Sequence, residues 1–523
     1  CDEGSHGAGA EPDVRSVAVG EVQMRAILGH VTDGVTAAMA DILAPQQVAV
    51  GMAGGISILI HGLRVLVEHR GDFVVVRLDL KNAYNAASRS AMLRRFSEHP
   101  QLAPLLPLLH ATLARADRLA VGAERRQLFD ARMGRSDTAE GLQQGAPPSS
   151  GVFCVGLQPE LAALDAELRP FGGCARAEMD DVYAAGPAHV VFPAITRFTT
   201  AVRASLDLEV QASKSSCYSR TYDIDSCPWR AHAGIPIGEE GGRRGILVGG
   251  VPLGSSGYVD AVLTAKVDTI ESYIDDTVSE LRGESPHAVW AALYYCCASR
   301  FDYWLRHLPP SDTIAHARRV DGALVAAVER LGYAGMVGDR ISLQRMRLPA
   351  RMRGLGLRSR EHLAPAAFCA CFVESAERFL DVRSHGTVMP GFFPMFQPLF
   401  GAGAFDGSYP VAGRLSQYLS QQVLPPTAVA FAAAWRGMQA EVARRGVAGV
   451  LDATVGAAGD GRPGAAGLQR LITAQRDQVA RDRLHAEVMQ LPRADTRREA
   501  WLACDAFSSQ WVGSWPSERD AIS

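Results

Sequence analysis

No CxxC pair and no cysteine–histidine ladder occurs in this sequence, although it holds 10 cysteines in 523 residues. That scatter argues against zinc and for free thiols in a reducing, intracellular setting, with nucleus and cytoplasm both open. Uninterrupted apolar runs fall short of the roughly 18 residues that span a bilayer, so no membrane segment is expected. A surplus of charge is missing too: 53 Lys and Arg stand against 56 Asp and Glu, a net of −3. Overall charge therefore neither points to nucleic acid nor excludes it; what counts is where cations gather. The opening "CDEGSHGAGAEPDV" lacks an initiator methionine and the basic and apolar zones of a signal peptide. The chain is accordingly expected to be a piece of a longer one.

What is present is an ordinary globular balance, 47% apolar and 21% charged, in a chain long enough for about two to four domains. "FVVVRLDL" (73–80) is the clearest strand. It is β-branched and apolar on both faces, so it belongs in the middle of a sheet. Helices are expected at 56–69, at 88–99 with Ser88 as cap, at 149–168 with an interruption or kink near Pro159, and at 188–206. Residues 243–259 read as strand, turn, strand, and almost everything after 260 reads as helix. "AAFCACF" puts Cys369 and Cys371 in one apolar segment, where burial is the expected role. "GAAGDGRPGAAG" (456–467) is a linker by composition. The pattern is a mixed α/β first half and a helical second half, an α+β chain.

Against that background "CARAEMDDVYAAGP" (174–187) stands out. Adjacent carboxylates repel, and Asp180 and Asp181 add little to fold stability. A tight hairpin would present them at a rigid point, and a divalent cation would make their proximity tolerable. Asp79, at the end of the strand 73–80, is a candidate third carboxylate. Three carboxylates can bracket two Mg²⁺ ions about 3.5–4 Å apart, a geometry that transfers nucleotidyl groups.

Five motifs in order across the chain resemble the palm of a reverse transcriptase of retrotransposon type, most similar to the non-LTR class. "DLKNAY" (79–84) resembles its first palm motif, "GLQQGAPPSS" (141–150) its GxxQGxxxSP motif, and "EMDD" (178–181) its aromatic-x-Asp-Asp. "LDLEVQASKS" (206–215) resembles the lysine-ended motif that comes next, and "LVGGVPLGS" (247–255) the primer grip. "VRSVAVGE" (14–21), "PQQVAVGMAGG" (45–55) and "RGLGLRSREHLAPAAF" (353–368) carry a weaker likeness. The resemblance implies a right-hand polymerase: partial fingers over 1–70, palm over 71–262 with a fingers insertion at about 88–140, and helical thumb over 263–345. A helical, basic extension (346–455), the linker, and a C-terminal helical segment (468–523) would complete it.

The same resemblance implies the roles. Asp79, Asp180 and Asp181, with the Leu80 carbonyl, would hold two Mg²⁺ ions, Mn²⁺ being the other cation of this chemistry. Lys214 would protonate the pyrophosphate. Tyr84 would lie under the sugar and exclude a 2′-hydroxyl, while Gln144, Gly145 and Arg15 would support the nucleotide. Gly250, Pro252, Leu253 and Gly254 would grip the primer. The partners implied are an RNA template, a DNA primer or RNA–DNA hybrid, and dNTPs. The stretch 345–360 holds Arg345, Arg347, Arg351, Arg353, Arg358 and Arg360 without an acid, and reads as a surface half docked on protein and half facing phosphate.

Four departures qualify the likeness, one of them Ser16, which sits where proline often follows the fingers arginine. Glu178 replaces an aromatic residue; by strand alternation it is expected to face the same way as Asp180. Ala146 and Ser150 stand where relatives carry an acid and a proline. A catalytically silent palm kept as an RNA-binding scaffold is one alternative, and an RNA-dependent RNA polymerase, against which Tyr84 argues, is another.

Overall fold

The structure, a computed structural model, describes residues 22–113, 117–119, 136–138, 141–143, 145–281, 283, 285–380, 426–443 and 466–503. It is mostly helical with small antiparallel sheets. The chain divides into two compact units. The first comprises Cys1–Gly55, Val74–Cys217 and Asp223–Pro236; the second comprises Ile56–Phe73, Tyr218–Tyr222 and Ile237–Ser523.

The first unit is built around strand β1 (Val74–Leu78), in which Val74, Val75, Val76 and Leu78 are all fully buried. Side chains of a strand alternate, so burial of consecutive residues means that both faces are covered. Strand β2 (Cys174–Glu178) pairs with β3 (Asp181–Gly186), and β3 pairs antiparallel with β1. The order across the sheet is β2-β3-β1-β4, where β4 is the strand that begins at Ser216 and contributes Ser216 and Cys217 to this unit. β1 is thus an interior strand, as its composition predicts.

Helix Ser149–Leu168 runs unbroken through Pro159 and buries Val152, Phe153, Cys154, Val155 and Leu157. The expected interruption does not occur. Each such side chain contributes about 1.5–3 kcal/mol relative to exposure. Helix Arg89–Ser97 starts on Ser88, whose hydroxyl accepts the Ala91 amide. The Arg95 guanidinium from this helix meets Glu160 through two hydrogen bonds of 2.6 Å, and Ser205 of helix Ala188–Leu206 donates to the same carboxylate at 2.6 Å. Three helices are thereby tied at one half-buried point.

Helix Val22–Leu43 is, by length and composition, apolar enough to cross a membrane. A search for unbroken apolar runs passes over it because polar residues interrupt it. Its Leu28, Val35, Met39 and Leu43 are buried.

The second unit is largely helical. Its core helices are Ser256–Leu281, Pro310–Val328 and Arg360–Leu380, with Pro426–Ala443 and Ala466–Met489 packed on the last. Asp321 of Pro310–Val328 accepts the Arg360 amide at 2.7 Å and so caps the start of Arg360–Leu380. Cys369 and Cys371 of that helix are fully buried, as expected, and burial pushes the Cys371 thiol up to about 11. A two-stranded hairpin, Arg243–Val248 with Val251–Gly254, turns through Gly249 and Gly250.

Candidate functional site

The β2–β3 hairpin closes on the pair Glu178↔Asp181, which leaves Met179 and Asp180 as a two-residue turn. Met179 is left-handed, with φ of 56°. Glu178 therefore stands opposite Asp181. The expected alignment of 178 with 180 along one strand is lost because the turn ends the strand at 178.

β1 meets β3 in the register Arg77↔Tyr183, Leu78↔Val182. One step further, Asp79 is level with Asp181. Opposed Cα atoms in antiparallel strands lie about 4.5–5.5 Å apart. By extension of that register Glu178, Asp181 and Asp79 line up, Asp79 just past the end of β1, with Asp180 at the tip beside them. The crowding has an electrostatic signature: burial, then the charges of Asp181 and Asp180, hold the Glu178 carboxyl above its usual range.

Asp181 is not left bare. Arg77, on the same face two pairs back, donates to its carboxylate through Nε at 3.2 Å and Nη2 at 3.0 Å. Burial works against the Arg77 charge, but Asp181, and more weakly Asp79, hold the guanidinium above its usual range. Among the described residues no three His, Cys, Asp or Glu side chains form a ready-made metal-binding group. The Asp181 carboxylate is thus paired with Arg77.

The backbone of Asp79 is held on both sides by one turn. Its carbonyl accepts the Gln211 amide at 2.8 Å, and its amide donates to the Ser215 hydroxyl at 3.1 Å. Lys214 is exposed on that turn, next to Ser215. The bridge between Leu80 and Val210 uses the Asp79 carbonyl and the Lys81 amide, not the Leu80 carbonyl.

Tyr84 stacks on Phe153 at 4.9 Å between centroids and donates its hydroxyl to Ser150 at 3.2 Å. Burial pushes its phenol up, and the charge of Asp180 adds to the shift. The segment 141–142 lies along the same turn: the Gly141 amide donates to Ala87 at 3.0 Å and Leu142 to Tyr84 at 2.6 Å. Gly141, at φ of 75°, approaches so closely that a Cβ would come within 2.4 Å of the Asn85 carbonyl oxygen. Gly145 is exposed with φ of 100°. Gln144 and Arg15 lie outside the described residues.

In the second unit, the glycine-turn hairpin has its tip carbonyls occupied. Tyr303 donates its hydroxyl to Gly249 at 2.6 Å and Trp304 its Nε1 to Gly250 at 3.3 Å. Arg64 donates to the Pro252 carbonyl at 2.7 Å. Leu253 is buried, and a Cβ at Gly254 would lie 2.5 Å from the Arg244 carbonyl oxygen.

The six arginines of 345–360 divide. Arg360 is buried, bonded to the Ala298 carbonyl and paired with Asp302 at 3.3 Å. Arg358 is tied to Asp477 at 2.6 Å. Arg353 donates to the Trp501 carbonyl at 3.1 Å and lies over its ring. These three face protein, where the sequence, having no acid nearby, predicts a face shared with phosphate; the partner of Arg358 comes from more than a hundred residues away. Arg345 and Arg347 are half-buried, Arg345 donating to the Arg353 carbonyl at 3.2 Å, and the exposed Arg351 lies 3.9 Å from Asp477.

Two contributions escape any local reading of the sequence. Gln47, fully buried, accepts the Met179 amide at 2.8 Å and donates to the Met179 carbonyl at 3.0 Å. Asp165 receives the Ala175 amide at 2.9 Å, Arg176 at 2.7 Å and Gln46 at 3.0 Å, anchoring the start of the hairpin. No glutamine or aspartate signal marks either; only the weak likeness at 45–55 touches Gln47.

No protein-family model and no curated protein matches the chain. Among solved structures it is similar to telomerase from Candida albicans in complex with a TWJ fragment of telomeric RNA. The identity is 9% and the TM-score 0.28, over 71% of this chain and 56% of that one. A likeness of that size carries no weight for fold or function.

Proposed function

We propose that this chain is an RNA-directed DNA polymerase of retrotransposon-like type, with residues 71–262 as its palm. The observation that supports this reading is the register that sets Asp79 level with Asp181, with Asp180 in the adjoining two-residue turn. Distant segments converge there on one acidic point.

The donor set suits a hard divalent cation, Mg²⁺ or Mn²⁺: Asp79 and Asp180 would hold it, with the Leu80 carbonyl beside them. Asp181 would join only on release from Arg77. Such cations supply an acidified primer hydroxyl and positive charge for the triphosphate. The chain's own residues do the rest. Tyr84, braced by Phe153 and Ser150, underlies the sugar and leaves no room for a 2′-hydroxyl. The primer 3′-oxygen bonds to the α-phosphorus as the bond to the β-phosphate oxygen breaks. Lys214 gives its proton to the departing pyrophosphate. Gly250 to Gly254 bear on the primer end, and Arg345, Arg347 and Arg351 meet backbone phosphate.

One observation favours a second reading, a silent palm that binds RNA as a scaffold. Asp181 is already paired with Arg77, and Glu178 crowds a fourth carboxyl group against the three aspartates. Primer extension on an RNA template separates the two. The polymerase predicts dNTP incorporation that Asp180→Ala lowers by at least about 10³-fold, as expected for loss of a metal ligand. Equal, background incorporation by both proteins favours the scaffold. Preference for NTPs over dNTPs would transfer the reading to an RNA polymerase.

A further inference from the structure

We propose that Gln47 is the positioning residue of the aspartate tip: it fixes the direction of Asp180 through the backbone of Met179, without touching the reacting atoms. The consequence rests on the polymerase reading; the geometry does not.

The turn has a mechanical problem. Met179 carries a side chain in the left-handed region, which L residues other than glycine avoid. The closing pair Glu178↔Asp181 imposes this conformation on a residue whose side chain opposes it, so a tip meant to aim a carboxylate gains from an outside restraint. Gln47 supplies one. Its carboxamide is among the few neutral groups that can donate and accept at once in a fixed plane. The Met179 amide can only donate and its carbonyl only accept, so the orientation of the carboxamide is set by its partners. The two Met179 groups belong to the two peptide planes that flank its Cα. Holding both fixes φ and ψ of Met179, and the second plane ends at the Asp180 Cα.

The clamp is itself held. Gln47 forms a parallel bridge with Ala177. Ala177 donates to the Gln46 carbonyl at 2.7 Å, and Val48 donates to the Ala177 carbonyl at 2.8 Å. Segment 46–48 thus covers the open edge of β2. The Gln46 side chain bonds Asp165 at 3.0 Å and accepts Gln158 at 2.9 Å. Gln47 therefore approaches the tip from a base as rigid as the sheet, and it is fully buried. A side chain that binds both halves of one strained residue is placed to aim its successor, Asp180.

Two variants of the full chain test this. Gln47→Leu removes both hydrogen bonds at similar volume, and Gln47→Glu keeps the acceptor and loses the donor. Readouts are single-turnover dNTP insertion, primer–template affinity, Mn²⁺ binding monitored by its paramagnetic resonance, melting temperature, and hydrogen exchange resolved to peptides 177–181 and 182–186. For Gln47→Leu, insertion is expected to fall about 10²-fold, the scale of a 1 Å misplacement. Mn²⁺ binding weakens, exchange accelerates in 177–181 alone, and primer–template affinity and melting temperature stay near wild type. Gln47→Glu falls between. Unchanged insertion and exchange in Gln47→Leu overturns the proposal. So does a loss of insertion that tracks a drop in melting temperature with exchange faster across both peptides, since that is a merely structural role. If the wild type itself neither extends primers nor binds Mn²⁺, the polymerase reading fails. Exchange then decides alone: acceleration confined to 177–181 sustains the positioning role, and its absence refutes it.

Discussion

Among the described residues, two of the hairpins that turn through two residues fix their tips by opposite means. The hairpin Arg243–Val248/Val251–Gly254 turns on Gly249 and Gly250, at φ of 53° and 76°. Those values ask for glycine, and glycine is there. Aromatic donors from Tyr303 and Trp304 then hold the tip carbonyls. The hairpin Cys174–Glu178/Asp181–Gly186 instead places Met179 in the left-handed region and binds both of its backbone groups to one buried carboxamide. The first tip is relaxed and anchored by aromatic side chains. The second is strained and clamped. Strain held by neighbours is typical of places where a side chain must point in one direction, and the clamped tip is the one that carries the acids.

The comparison can be broken at several points, beginning with the largest effect. The anchor of the glycine tip leads to a buried histidine. The His307 Nδ1 faces the Tyr303 carbonyl at 2.8 Å and so carries the proton, while its Nε2 accepts from Ser57 at 2.9 Å. Burial lowers this imidazole from 6.5 to about 4, and burial lowers the neighbouring His61 as well. The folded state then binds fewer protons than the unfolded one between about pH 4 and 6.5, so stability falls as pH falls through that window. For His307 alone the loss by pH 4 is about 3 kcal/mol. Hydrogen exchange, corrected for intrinsic rates, should show the glycine tip and residues 302–307 loosening from pH 7 to pH 4.5, with the Met179 tip far less affected. Equal loosening of both tips would remove the distinction.

Next in size is Gly249→Val. A Cβ there meets Ile56 Cδ1 at 2.4 Å in a backbone region closed to β-branched residues. Chemical denaturation should show a loss of about 2–3 kcal/mol. Gly250→Ala meets nothing within 4 Å and should cost about 1 kcal/mol, from backbone strain alone. Met179→Gly relieves a left-handed strain of about 1–2 kcal/mol and gives back about 0.5–1 kcal/mol in chain entropy. It should leave stability level or slightly higher while insertion declines, because the tip gains freedom. A destabilised Met179→Gly would mean the turn is not strained.

The smallest effect concerns Glu178. Its carboxyl is raised by burial and by Asp181 and Asp180. The folded state therefore favours the protonated form, and stability is lost as pH rises through that raised range. Glu178→Gln should raise the melting temperature at pH 7 to 8, with the gain fading as pH falls toward the ordinary carboxylate range. A gain that grows on acidification would carry the wrong sign.

How much of the molecule is legible in its sequence depends on the reach of each signal. Strand 73–80, the Ser88 cap and the glycine turn at 249–250 are written in neighbouring residues, and they occur where expected. The continuity of helix 149–168 through Pro159 is not legible, because the fully buried run 151–157 and Leu161, Leu164 and Leu168 beyond it outweigh the local cost of an exposed proline. The acidic point is half legible. Asp79, Asp180 and Asp181 stand out as residue types, and strand pairing brings them together. Arg77 on Asp181, Gln47 on Met179 and Asp477 on Arg358 are pairings 104, 132 and 119 residues apart. No periodicity or composition encodes such distances, so the sequence splits the basic run 345–360 between protein and phosphate without showing that Arg345, Arg351, Arg353, Arg358 and Arg360 all have protein partners in the fold.

The central claim is tested most directly by anomalous diffraction from crystals of this chain grown with Mn²⁺ and a primer–template. The polymerase reading predicts a peak bonded to both the Asp79 and Asp180 carboxylates, at the roughly 2.0–2.2 Å usual for small hard cations, which Asp180→Asn removes. Well-ordered carboxylates at 79 and 180 that point apart, with no peak between them, would contradict it.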